Sequence, residues 1–128
     1  MAAIHKAGYG NYDIKLENIL VANDYGIKIC DLGLADPLNY EIRYARGSPG
    51  YIAPEQFKNT FSGPKSDIFA LGVMLYSLVM GKFPWKSTQP EKCEIFEAYK
   101  KNKSSLFMAK GDFNRRIGKY LSLKNLLY

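Results

Sequence analysis

Apolar and polar positions divide the chain into short β-like runs near the start and longer helical stretches further on. Ile19 to Ala22 and Ile27 to Cys30 are two apolar runs separated by Asn23-Asp24-Tyr25-Gly26, a turn sequence with Gly26 available for a positive φ. With Asp24 and Tyr25 as the two loop residues, this hairpin pairs Ala22 with Ile27, Leu20 with Ile29 and Asn18 with Asp31.

The remaining pattern is mainly helical. Met1 to Lys6 reads as the last turns of a helix stopped by Gly8 and Gly10. Gly8-Tyr9-Gly10 lacks the third glycine and preceding strand of a dinucleotide fingerprint and is given no phosphate-binding role. Leu34 to Ile52, punctuated by Pro37, Gly47, Pro49 and Gly50, predicts a long irregular, mobile loop. A short helix follows at Ala53-Pro54-Glu55. Ser66 opens the most hydrophobic helix, which runs to about Met80 and is apolar on nearly all sides, as expected of a buried central post. Thr88-Gln-Pro-Glu91 has the form of a capping box opening a helix through about Lys101, with Ile95, Phe96 and Tyr99 on its apolar face. After Ser104 the pattern weakens, and Leu106, Phe107, Phe113, Ile117, Leu121 and Leu126 line at most one or two short helices.

The hairpin register carries chemistry. Directly opposed residues hold their Cβ atoms roughly 5 Å apart, so Asn18 and Asp31 would present converging oxygens. Two hard oxygen donors suit Mg²⁺, which keeps several waters and takes other ligands from substrate phosphates. Asp13 is a possible base and Lys15 a cation for phosphate, although Asp and Asn also serve as ordinary turn and capping residues.

Composition narrows the alternatives. A chain of 128 residues, 47% of them hydrophobic, can bury a core and is most simply one domain or a piece of one. Net charge is +6, but through Glu97 there are ten Lys/Arg against eleven Asp/Glu, and from Ala98 onward eight against one. The basic excess therefore lies in the tail, read as a solvated face because no nucleic-acid-binding motif accompanies it. Cys30 and Cys93 have no metal-ligand spacing and read as reduced, buried thiols. His5 is the only histidine, read as a helix-surface or half-buried residue; a Ser-His-Asp triad or multi-histidine zinc site is excluded unless that one residue serves it. Met1 to Gly10 has no signal-peptide pattern, and Ile68 to Met80 is shorter than the ~18 residues of a membrane span. The expectation is an intracellular, most simply cytoplasmic protein that uses neither membrane nor nucleic acid; its oligomeric state stays open.

Together these segments resemble the C-terminal lobe of a eukaryotic protein kinase of the serine/threonine type. Asp13-Ile-Lys15-Leu-Glu-Asn18 is similar to the catalytic loop and Asp31-Leu-Gly33 to the metal-binding turn. Gly47-Ser48 to Ala53-Pro-Glu55 resembles the end of the activation segment, and Ser66-Asp67-Ile68 the start of the central helix. The resemblance is clear over residues 4–103, leaves the tail at 104–128 uncertain, and treats 1–128 as one partial kinase domain. It implies a mainly α chain with a small β-hairpin: the C-lobe of the α+β kinase-like fold, with the N-lobe absent. It also implies ATP and Mg²⁺ as cofactors and phosphoryl transfer to a protein Ser/Thr hydroxyl. Asp13 would take the substrate proton and Lys15 would neutralise the moving phosphoryl group. Asn18 and Asp31 would hold the metal, Leu20 would lie under the adenine, and Asp67 would brace the catalytic loop through its backbone N–H groups.

Departures matter too. Asn11-Tyr12 stands where the family usually has His-Arg, so the grip of that Arg on an activation-loop phosphate is missing, and Tyr44 occupies the usual phosphothreonine position. Loop phosphorylation is accordingly expected to matter little, and Asn11 to loosen the metal-binding turn. Arg115 and Arg116 are the candidate partners of Glu55, without a matching motif. No glycine-rich loop, strand lysine or partner glutamate is found. Three readings stay open: a serine/threonine kinase fragment, inactive alone; a pseudokinase fragment binding a partner through the basic tail and the helix near Tyr99; and a truncated product without independent function.

Overall fold

The computed structural model describes residues 1–58, 62–101 and 115–116. Among them, three α-helices and two two-stranded antiparallel ribbons are joined by irregular chain: α1 (Ala2–Lys6), β1 (Tyr9–Gly10), β2 (Ile19–Val21), β3 (Ile27–Ile29), β4 (Asp36–Pro37), α2 (Gly63–Met80) and α3 (Glu94–Lys101). Single 3₁₀ turns at Leu16–Asn18 and Pro54–Lys58 lead into β2 and follow Ala53.

The hairpin forms where the apolar runs place it, but its register is shifted by one residue. Ile19 pairs with Ile29, Leu20 with Lys28 and Val21 with Ile27, and the Cys30 N–H donates to the Asn18 carbonyl at 2.9 Å. Ala22 N–H donates to the Gly26 carbonyl at 2.8 Å, leaving three loop residues instead of two. The positive φ falls on Tyr25, at 60°, and not on Gly26. Asp24 drives this choice, since its Oδ1 accepts the Gly26 N–H at 3.0 Å and closes a local turn. Asn18 and Asp31 are therefore not directly opposed. The Leu34–Ile52 segment is largely irregular as expected, but it contributes β4, in which Asp36 pairs with Gly10 and Pro37 with Tyr9.

Helix α2 starts three residues before the expected Ser66. Ser62 is its N-cap residue and Pro64 lies in the first turn, where a missing N–H costs nothing. Gly81, at φ 67°, ends it by donating its N–H to the Ser77 carbonyl at 2.9 Å. The helix is not buried all round: Ile68, Leu75 and Leu78 are more than half exposed. Its inner face is formed by Ser66, Asp67, Ala70, Val73, Ser77 and Met80, so three polar residues point inward beside apolar ones while Ile68, Leu75 and Leu78 remain outside.

Ile14, Tyr51, Ala70, Val73, Trp85, Cys93 and Phe96 make the core. Trp85 is its organiser. The indole Nε1 donates to the Gly50 carbonyl at 2.8 Å, while the ring packs edge-on to Phe96 at 4.7 Å and stacks with Phe69 at 6.0 Å. The same residue thus ties the segment before Ala53 to α2 and α3.

The capping-box expectation fails. Helix α3 starts at Glu94, Glu91 adopts φ 63°, and the buried Thr88 hydroxyl donates to the Ile52 carbonyl at 2.6 Å. The tertiary bond from Thr88 replaces the local cap, and Phe96 is the buried residue of α3. Both cysteines are free; Cys93 is buried as expected, whereas Cys30 is half-buried. The apolar positions expected to line helices beyond Ser104 lie outside the described residues.

Candidate active site

The loop from Asn11 to Asn18 is fixed from beneath by α2. Asp67, which is 1% exposed, accepts the Asn11 N–H on Oδ2 and the Tyr12 N–H on Oδ1, both at 2.8 Å. His5 Nε2 lies 2.8 Å from the same Oδ2. The brace expected of Asp67 is present; its second support, from α1, had no signal in the sequence beyond a lone histidine. Tyr12 takes up φ 65°, a strained backbone for a bulky residue that these two N–H bonds hold in place. Asn11 turns its Oδ1 onto the Asp13 N–H at 3.0 Å, so this buried residue ties the loop down.

Asp13 is the centre of a polar cluster. Lys15 Nζ donates to Oδ2 at 2.7 Å, the Ser48 hydroxyl donates to Oδ1 at 2.8 Å, and Lys15 also donates to Ser48 Oγ at 2.9 Å. Asn18 Nδ2 bridges to the Asp13 carbonyl at 3.0 Å and to Oδ2 at 3.3 Å. Burial opposes ionisation of Asp13, but the bonds from Lys15 and Ser48, the charge of Lys15 and the bond from Asn18 outweigh it, leaving the carboxyl below its ordinary value. The hydrogen bond to Asp13 in turn raises Lys15.

Ser48 enters this cluster from 35 positions away. Gly47 makes the approach possible: it sits at φ 113°, and a Cβ there would stand 2.5 Å from the Tyr12 carbonyl oxygen. In the sequence, Gly47-Ser48 marked only the end of a segment. Nothing local to Ser48 announced its contact with Asp13, because contacts at such separation leave no periodic trace.

Of the expected metal pair, Asn18 is buried in the 3₁₀ turn and Asp31 is exposed just after β3. Asp31 has φ 62° and accepts the Gly33 N–H on Oδ1 at 2.9 Å. Its left-handed backbone ends the strict alternation of side chains, so the register no longer dictates its direction. The donor chemistry fits a hard cation: Asn18 commits its nitrogen to Asp13 and Asp31 its Oδ1 to Gly33, which would leave Asn18 Oδ1 and Asp31 Oδ2 to hold the ion. Among the described residues no group of three or more His, Cys, Asp or Glu could hold a metal. A hard cation held by only two protein oxygens would keep several waters in its shell. Leu20 sits on β2, 53% exposed.

The protein kinase domain family model matches residues 1–123. Over 106 residues the chain is 39% identical to a probable serine/threonine-protein kinase 2 of Plasmodium falciparum, covering 80% of this chain and 20% of that protein. It is 36% identical over 102 residues to the serine/threonine-protein kinase zyg-8 of Caenorhabditis elegans, covering 74% and 13%. The maternal embryonic leucine zipper kinase of Danio rerio is 38% identical over 90 residues, covering 66% and 13%. The chain belongs to the protein kinase domain family, in its serine/threonine branch, and spans a fifth or less of the length of these relatives. Among the described residues no helix is long and apolar enough to cross a membrane.

Proposed function

We propose that this chain is the C-terminal lobe of a serine/threonine kinase domain and supplies the catalytic loop for phosphoryl transfer from ATP to a protein hydroxyl. The supporting observation is the single cluster in which Lys15, Ser48 and Asn18 all bond to Asp13. Asp13, ionised below the ordinary carboxylate range, accepts the proton of a substrate hydroxyl and orients its oxygen. Lys15, bonded to Asp13 and Ser48, has the role of neutralising charge on the moving phosphoryl group. Asn18 Oδ1 and Asp31 Oδ2 are the atoms assigned to Mg²⁺, and Leu20 offers an apolar face to the adenine. When bound, the ion neutralises charge on the phosphates.

Positioning accounts for much of phosphoryl-transfer catalysis. A polypeptide of these residues alone lacks the glycine-rich loop and strand lysine, so it binds nucleotide weakly and transfers phosphate negligibly. The test is calorimetric titration of ATP with and without Mg²⁺. Binding that requires Mg²⁺ and is lost in Asp31→Ala is expected. ATP binding indifferent to both, or none at all, would leave a partner-binding, non-catalytic chain as the better reading.

A further inference from the structure

Arg46 lies two residues before Ser48 and takes no part in the cluster around Asp13, yet its side chain is only 8% exposed. Its terminal nitrogens are both occupied: one lies 2.5 Å from Asp36 Oδ2 and the other donates to the Leu34 carbonyl at 3.0 Å. The guanidinium also lies over the Tyr12 ring at 5.0 Å and the Tyr44 ring at 5.5 Å. Its backbone N–H donates to Gln56 Oε1 at 3.0 Å, which ties the same residue to the turn after Ala53. An isolated surface ion pair contributes little, but a buried planar fork held by a carboxylate, a carbonyl and two rings defines one geometry.

The geometry points to Arg46 as a positioning residue: it closes the 36–46 segment on Asp36 and Tyr12, and thereby holds Ser48 against Asp13. The chain runs from Asp67 through the Tyr12 backbone and ring to Arg46, and from Arg46 through Gly47, packed on the Tyr12 carbonyl, to Ser48. Closure uses only charges present in the unmodified chain, so the segment is ordered without an added phosphate. The proposed function enters only in what Ser48 and Asp13 then do; the clamp itself stands on contacts.

Asp36→Asn removes the charge that holds the guanidinium and leaves the side chain's shape nearly unchanged. The measurement is the Ser48 χ1 rotamer, read from side-chain J couplings, with amide exchange of Arg46 alongside. Expected are a single Ser48 rotamer in the parent chain, rotamer averaging in Asp36→Asn and Arg46→Gln with about tenfold faster exchange at Arg46, and partial recovery of both in Arg46→Lys. The control Glu41→Gln, which breaks the exposed pair with Arg43, leaves both readings unchanged. A Ser48 side chain that keeps its single rotamer in Asp36→Asn and Arg46→Gln overturns the clamp, whether or not the chain binds Mg²⁺ and ATP.

Discussion

Asp67 stands 55 positions beyond Tyr12 in the chain, yet its Oδ1 holds the Tyr12 backbone N–H at 2.8 Å. The bond links the buried face of α2 to the loop carrying Asp13, so stability of the helix and geometry of the site share one carboxylate. Asp67→Ala leaves two buried N–H groups without acceptor and is expected to cost on the order of 3 kcal/mol. His5→Ala removes one bond of the three and should cost on the order of 1 kcal/mol. Urea melts followed by Trp85 fluorescence measure both, and equal costs would contradict this ordering.

Asp13 sets a pH dependence of known sign. Its native carboxyl titrates below the ordinary 3.8, so its stabilisation is present above that value and disappears as pH falls through the native titration. Lys15 is raised above 10.5, so its contribution is present below that value and is lost as pH rises through the native titration. The pair therefore acts across the whole neutral range. Melting temperature against pH should fall less steeply at the acid end in Asp13→Asn than in the parent chain.

Thr88 is a tertiary anchor. Thr88→Val removes the bond to the Ile52 carbonyl and should cost about 1 kcal/mol or more, with Thr88→Ser retaining most of it. Circular dichroism should show α3 intact in both, because its first residue is Glu94 and Thr88 does not cap it. Loss of helix in Thr88→Val would restore the capping-box reading.

Trp85 should tolerate little change. Trp85→Ala opens a cavity among Phe69, Phe96 and Tyr99 and removes the bond to Gly50, for an expected loss of about 3–5 kcal/mol. Trp85→Phe keeps part of the ring contact and should cost less, as a pair of thermal melts would show.

Elements with local signals were legible in the sequence. Apolar runs around Asp24 gave the hairpin, Gly81 gave the end of α2, and the order of Asp13, Asn18, Asp31 and Asp67 gave the family. What failed depended on competition between local and distant partners. The hairpin register turned on whether Gly26 or Tyr25 took the positive φ, which the Asp24 side chain decided. Thr88 matched a helix cap but found the Ile52 carbonyl. Strand β4 is only two residues long and holds a proline, too short for any alternation to reveal. Ser48 and Arg46 reach their partners at the site through the fold alone.

Metal placement tests the central claim most directly. With Mn²⁺ substituting for Mg²⁺ in the presence of ATP, paramagnetic broadening should be strongest at Asn18 and Asp31 and spare Tyr25 at the hairpin tip, and it should vanish in Asp31→Ala. Broadening centred elsewhere, or unchanged in that variant, would contradict the assignment of this loop and turn to a magnesium–nucleotide site.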